Sequence, residues 1–372
     1  MSRRTSPLLW PLLLACLCTT AQADDPSPTL EVVAEIDYAP GNIAVAPDGS
    51  VFVSLHTSMQ APFVALAIEN GKATPFPPDG WATPLGNEAA SERGLHSVLG
   101  IRADAQDQVW MLSGGSGQAV KHLYVWNRKD GRLVQDYRFE GPPAAASRSF
   151  FNDIALAPRH GKVFISDPAD GEHAAIVVVD LKTGTGMRKL EGHASVQAEA
   201  VTAHVAGKVL GSVNAAGEAV PLRSGINPIT IDPDEQWVYY GAMSGKSVYR
   251  VPVADLLDDT LTNEALASRV ERYADKDISA GITIDNAGNV YVADIQANGV
   301  GVATPGQPYR VLVQDDVHLS WPDGLSVGAD GYVYVNANSL FRTMGSHRAD
   351  GPPTAPFYLT RFKALAPTTA GR

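Results

Sequence analysis

Short side chains ending in oxygen acceptors recur at one point of a repeating pattern. Asn152, Asn227 and Asp323 each open an apolar, β-branched strand that leads through a turn into a second apolar strand. Asn42 and Asp153 stand one residue further on in their own strands, and His96 lies just upstream of another. Carboxamides and a carboxylate gathered from separate strands can hydrogen-bond a polar organic molecule or coordinate a hard cation. The candidate ligand-binding set is therefore Asn152, Asn227, Asp323, Asn42 and His96. Asn152, Asn227 and Asp323 are also the candidate ligands of a divalent cation such as calcium. Asp153 is the candidate acid or base, should the protein hydrolyse what it binds. Asn and Asp also serve at strand starts by bonding their own backbone, so the shared phase carries the expectation rather than any single residue.

Other catalytic templates are absent from the chain. Its nine histidines form no His-x-x-x-His pair and no His-Glu-x-x-His motif. No Gly-x-Ser-x-Gly elbow occurs. Gly114, Gly115, Ser116 and Gly117 lack the Gly-Lys-Ser/Thr ending of a phosphate loop and read as a turn. His56 and His318 read first as surface or packed histidines, with a place at the same opening as the Asn and Asp set as the alternative.

The strand pairs that position these residues number six. They start at Gly41, Leu99, Asn152, Asn227, Ala280 and Asp323, and turns such as Pro47-Asp48-Gly49 and Ala329-Asp330-Gly331 separate their strands. The second strand of each pair is apolar on both faces, as in a sheet packed on both sides. A radial array of small sheets supplies that environment, so the expected fold is all-β, a six-bladed β-propeller in one domain spanning residues 24–372. Residues 30–38 and 357–362 read as strands that pair in one blade and close the ring. Residues 263–274 look helical, with Asn263 as cap, between the fourth and fifth blades. Residues 144–149 and 351–356 read as loops. In a propeller the innermost strands line a central channel, and their starts meet at one mouth.

Composition agrees. Of 372 residues, 45% are hydrophobic and 19% charged, with Gly 34 and Pro 26, which suits short buried strands joined by turns and excludes a coiled coil or a disordered chain. The net charge of −11 disfavours a nucleic-acid partner. Residues 1–23 resemble an export signal: Arg3 and Arg4, an apolar run over residues 8–17 too short to span a bilayer, then Ala21-Gln22-Ala23 for cleavage. The expected location is the periplasm or the exterior, and loss of Arg3 and Arg4 takes the charge from −11 to −13. Lipidation at Cys16 is the lesser alternative, because Leu14 fits a lipobox poorly. Both cysteines, Cys16 and Cys18, leave with the signal, so no disulfide or thiolate site is expected. No later segment is a transmembrane candidate.

The sixth repeat is more specific. His318, Trp321, Pro322, Asp323, Gly324 and Leu325, followed by Asn336, Asn338 and Leu340, resemble the last blade of the major royal jelly/yellow protein family. Residues 149–154, 239–252 and 299–302 resemble its third, fourth and fifth blades, in the same order. The resemblance implies an exported six-bladed propeller and, in the insect branch of the family, binding of small organic ligands, biogenic amines among them, at the channel mouth. Bacterial members are often described as related to dopachrome tautomerase, and the lack of cysteines in the exported chain fits a bacterial branch. A more distant likeness, to regucalcin/gluconolactonase propellers, implies a divalent ion held by a Glu, an Asn and an Asp. Asn152 with Asp153, and Asn227, match two of those places. Gly41 and Ala280 stand where the Glu and Asp belong, with Asp323 a substitute from another blade. Three functions remain open at this point: a ligand-binding propeller, a metal-assisted lactone hydrolase or tautomerase-like isomerase, and a non-catalytic envelope protein.

Overall fold

The computed structural model describes residues 27–372 except 57, 85–94, 115–118 and 147. The residues read as an export signal, Cys16 and Cys18 among them, and residues 115–117 lie outside the described residues. The described residues form six four-stranded antiparallel sheets. Their innermost strands are Pro40–Val45, Ile101–Ala103, Asp153–Ala157, Ile226–Ile231, Ser279–Ile284 and Pro322–Val327, and each touches the next in cyclic order, the sixth meeting the first. The second strands are apolar on both faces because both faces are covered: Val163, Ile165, Val290, Val292, Val333 and Val335 have no exposure. Six apolar clusters fill the gaps between neighbouring blades, such as Phe52 and Phe76 of blade one with Trp126 and Met111 of blade two. This is the six-bladed β-propeller expected from the repeat.

Turn chemistry holds the hairpins. Asp104 Oδ1 accepts from the backbone N of Gln106 and Gln108 at 2.8 and 2.9 Å, while Oδ2 accepts from Trp110 Nε1 at 2.8 Å. Asp285 repeats the arrangement, with Ala287 N and Asn289 N at 3.0 Å and the Tyr291 hydroxyl at 2.8 Å. A turn aspartate therefore satisfies both the loop amides and the polar tip of an aromatic ring buried between blades.

Ring closure follows the expected route. Glu31–Ile36 pairs with Phe357–Lys363 and forms the outermost strand of blade six. The 263–274 expectation needs correction. The helix is shorter, Asn263–Ala267, and its cap is Thr262, whose hydroxyl accepts from Ala265 N at 3.2 Å. Glu271–Asp275 is the fourth strand of blade four, so the helix lies within that blade, not between blades four and five. Tyr273 and Ala274 alternate like strand residues and pack on blade five, which outweighs the local helix propensity.

Two insertions roof one end of the channel. Between blades three and four the chain makes two small hairpins, His204–Val205 with Lys208–Val209 and Gly211–Val213 with Ala219–Pro221. Within blade six it makes two short 3-10 turns, Leu340–Thr343 and Gly345–Asp350. These insertions bind each other. His347 Nε2 lies 2.9 Å from Val205 O, Gly211 N donates to Ser346 Oγ at 3.1 Å, and Lys208 Nζ pairs with Asp350 at 2.6 Å. Among the described residues no helix is long and apolar enough to cross a membrane.

The closure seam generates a test. Leu359 has no exposure and packs between Ile36 and the first blade. Leu359→Ala is expected to lower stability by about 2–5 kcal/mol in urea unfolding, whereas a change below about 0.5 kcal/mol, the scale of surface substitutions, would mean the seam does not hold the ring.

Candidate functional site

Because every inner strand starts at the same end of the ring, the six strand-start positions meet. Gly41, Leu99, Asn152, Asn227, Ala280 and Asp323 all line one cavity of about 210 Å³ at the channel mouth. Asn42 and His56 line it as well. Its remaining wall comes from the roofing insertions and neighbouring loops: Leu222, Ser224, Met243, Trp321, Leu340 and Met344. The floor is polar and the roof apolar, the common layout of a small-molecule site.

The floor groups are tied to one another. Asn152 Nδ2 donates to Asn227 Oδ1 at 2.6 Å, linking blades three and four. Asp323 Oδ2 accepts from Asn338 Nδ2 at 2.6 Å, and the same Nδ2 donates to Pro40 O at 2.8 Å. Burial pushes the Asp323 carboxyl up to about 7, helped by the negative charge of Asp153 and opposed by the Asn338 bond. Burial likewise pushes His56 down to about 4, so its ring is neutral above that pH. Trp321, fully buried, holds a left-handed backbone at φ 58 beside Asp323. A bulky residue in that region is strained, and such strain persists only where the surroundings impose it.

Asp153 does not line the cavity. Adjacent strand residues face opposite ways, so with Asn152 at the mouth Asp153 turns toward the neighbouring blades. There it meets Arg102 Nη2 at 3.0 Å and Asn42 Nδ2 at 3.0 Å, and it accepts from Ile154 N at 2.8 Å. Arg102 is 1% exposed. Asn42 Oδ1 accepts from Ile43 N at 2.8 Å and from Arg102 Nη1 at 3.3 Å, so its polar atoms also serve this lower layer. Burial raises the Asp153 carboxyl despite Arg102 and its hydrogen bonds. An acid or base for substrate in the cavity is thus not provided by Asp153 in this geometry, with both oxygens engaged.

His96 is corrected as well. It is not among the residues lining the mouth. Leu95 inserts into the core between blades one and two, which carries His96 outward. Its ring sits 5.5 Å from that of His122, which bonds Asp136 at 2.8 Å. His318, too, faces elsewhere, with Nδ1 2.9 Å from Asp315 and its ring against Tyr358. Sequence reasoning missed the apolar roof, Leu222, Met243, Leu340 and Met344, and the buried cation Arg102. A polar residue inside an alternating apolar strand was the available signal for Arg102. Nothing local marked the roof, which comes from segments 100 residues apart.

The floor offers calcium a thin donor set. Calcium takes six to eight oxygens. Here the set is one carboxylate and two carboxamides, with Asn227 Oδ1 already occupied by Asn152. Among the described residues no three His, Cys, Asp or Glu side chains group for a metal.

Residues 96–350 match the profile of the major royal jelly protein family. The chain belongs to that family. Among curated proteins none matches the sequence. Solved structures share the fold. A luciferin-regenerating enzyme superposes with a TM-score of 0.58 at 12% identity, over 92% of this chain and 98% of that one. Regucalcin from Agrobacterium tumefaciens, described as a calcium-binding protein, gives 0.52 at 11% identity over 92% and 97%. A Thermus putative oxidoreductase (glucose dehydrogenase) gives 0.53 at 11% over 90% and 99%. Likeness at such identity shows the propeller fold alone, so the chemistry of this royal jelly family member must be argued from its own mouth.

Two measurements test the site's electrostatics. Removing one partner of a buried pair strands the other, so Arg102→Met alone is expected to cost about 3–5 kcal/mol. Replacing Asp153 by Leu in the same chain should recover most of that cost. Strictly additive losses in urea unfolding would show the two are uncoupled. Asp323 keeps its proton in the folded state up to about pH 7, whereas the unfolded chain loses it near pH 4. Its contribution to stability is therefore complete below that lower value and is lost as pH rises toward 7. Native stability should fall more between pH 4.5 and 7.5 than that of Asp323→Asn; equal slopes would contradict the assigned burial.

Proposed function

We propose that this protein captures a small organic molecule at the channel mouth, with an apolar body under the roof and a polar or cationic group on the floor. The observation that carries this reading is the convergence of six strand starts, one from each blade, on a single roofed cavity. Among the described residues, Asp323 is the sole carboxylate lining that cavity, and no Lys or Arg lines it. With His56 neutral, the floor favours a hydrogen-bond donor or a cation over an anion. Asn152 and Asn227 present carboxamides that orient the polar end, and Leu222, Met243, Leu340 and Met344 exclude water from the other. Export across the inner membrane completes the reading and rests on the signal-like residues 1–23.

The test is calorimetric titration with aromatic amines, catechols, lactones and calcium, followed by assays of lactone hydrolysis and aminochrome isomerisation. Saturable binding of an amine or catechol is expected, weakened about tenfold or more in Asp323→Ala, the loss of one hydrogen bond to a charged group. Binding of calcium without any organic ligand, or turnover of a lactone, would favour the metal-assisted hydrolase instead. If Asp323→Ala, Asn152→Ala and Asn227→Ala are all silent while loop deletion abolishes a protein partner, the envelope-interaction reading replaces this one.

A further inference from the structure

The last residues of the sequence run back beneath the ring. Beyond Phe357–Lys363, Leu365 N donates to the Tyr291 hydroxyl at 2.7 Å, and Pro367 O accepts from Asn286 N at 2.9 Å, both in blade five. Thr368 Oγ1 bonds Gly328 O of blade six. Gly371, at φ 90, passes so close to blade two that a Cβ would stand 2.8 Å from Ala103 O. Arg372 then inserts at the channel end opposite the mouth and is 8% exposed. Its Nη1 donates to Leu156 O of blade three at 3.2 Å, its Nη2 lies 3.7 Å from Glu235 Oε1 of blade four, and its carbonyl accepts from Val327 N at 3.4 Å.

The receiving groups form a built site. Glu235 is 2% exposed, in a left-handed conformation at φ 56, with Oε2 held by Arg159 N at 2.9 Å. A buried carboxylate and a strand-end carbonyl take an ion pair and a hydrogen bond from the guanidinium, whose Nε has no partner among the described residues. Blade two leaves no room for a side chain before the arginine, and the backbone there has positive φ, so glycine is required at that place.

We propose that the far end of the channel is a second binding site, specific for an extended Gly-Arg segment, and that Arg372 of this chain fills it in cis. Five blades grip the segment, so it ties the ring from below and closes the channel there. A ligand reaching the mouth cavity then has one way in. This site is separate from the mouth and stands whether or not the mouth binds an organic molecule.

The experiment uses three full-length chains: native, Arg372→Ala, and Arg372→Ala with Glu235→Gln. The probe is a labelled peptide of residues 366–372, Ala-Pro-Thr-Thr-Ala-Gly-Arg. Saturable one-to-one binding is expected to the Arg372→Ala chain, at least tenfold tighter than to the native chain, whose site is filled, and than to the double variant. Amide hydrogen exchange over residues 368–372 should quicken at least tenfold in Arg372→Ala. Failure of the peptide to bind the Arg372→Ala chain, equal binding to all three chains, or unchanged exchange overturns the proposal. Folding of each chain is checked by its circular dichroism melt. Should the double variant not fold, the comparison of the native and Arg372→Ala chains decides alone.

Discussion

Sheet-on-sheet burial closed into a circle is the constraint from which the other features follow. Each blade is an amphiphile on both faces and is stable only between two neighbours. An open row of six would leave two apolar faces in water. Bringing Glu31–Ile36 onto Phe357–Lys363 removes both at once, because the first and last blades then share a core. Closure costs chain entropy, since the paired strands lie more than 300 residues apart, but that cost grows only with the logarithm of the loop. The apolar area buried along the seam rewards it.

Circular closure also creates an axis that apolar side chains do not fill. The inner strands converge there, and this protein fills the upper part of the channel with a compensated polar layer. Arg102, Asp153 and Asn42 come from three blades and satisfy one another. A buried pair of this kind adds little net stability over an apolar one, yet it is intolerant of a missing partner. Above it, Asp323 has no cation partner among the described residues and is desolvated, which raises its carboxyl to about 7. The contrast between two aspartates in one channel lies in their neighbours, not in their chemistry.

The propeller fold is shared with proteins described by different activities, and the fold therefore decides geometry without deciding chemistry. In this protein a pair of insertions roofs the channel mouth. His347, Ser346 and Lys208 bind one insertion to the other, and Trp321 stacks on Phe341 beneath them. The roof is thereby assembled from segments outside the six four-stranded sheets.

Much of the architecture was legible in the residues themselves. Strand phase and the six copies are local patterns of apolar alternation and turn residues, and the pairing of the two terminal strands follows from closing that repeat into a ring. So was the convergence of Asn152, Asn227 and Asp323, since equivalent positions in a circular repeat must share a distance from the axis. Other placements depended on contacts between residues far apart in the chain. Asp153 turns from the mouth because Arg102 and Asn42 wait on its side; His96 is drawn outward by the burial of Leu95; Tyr273 lies in a strand because blade five needs its partner. The roof and the Arg372 plug belong to the same class. Local propensity is worth tenths of a kcal/mol per residue, while a buried side chain or a matched charge is worth several times that, so wherever the two disagreed the tertiary structure decided.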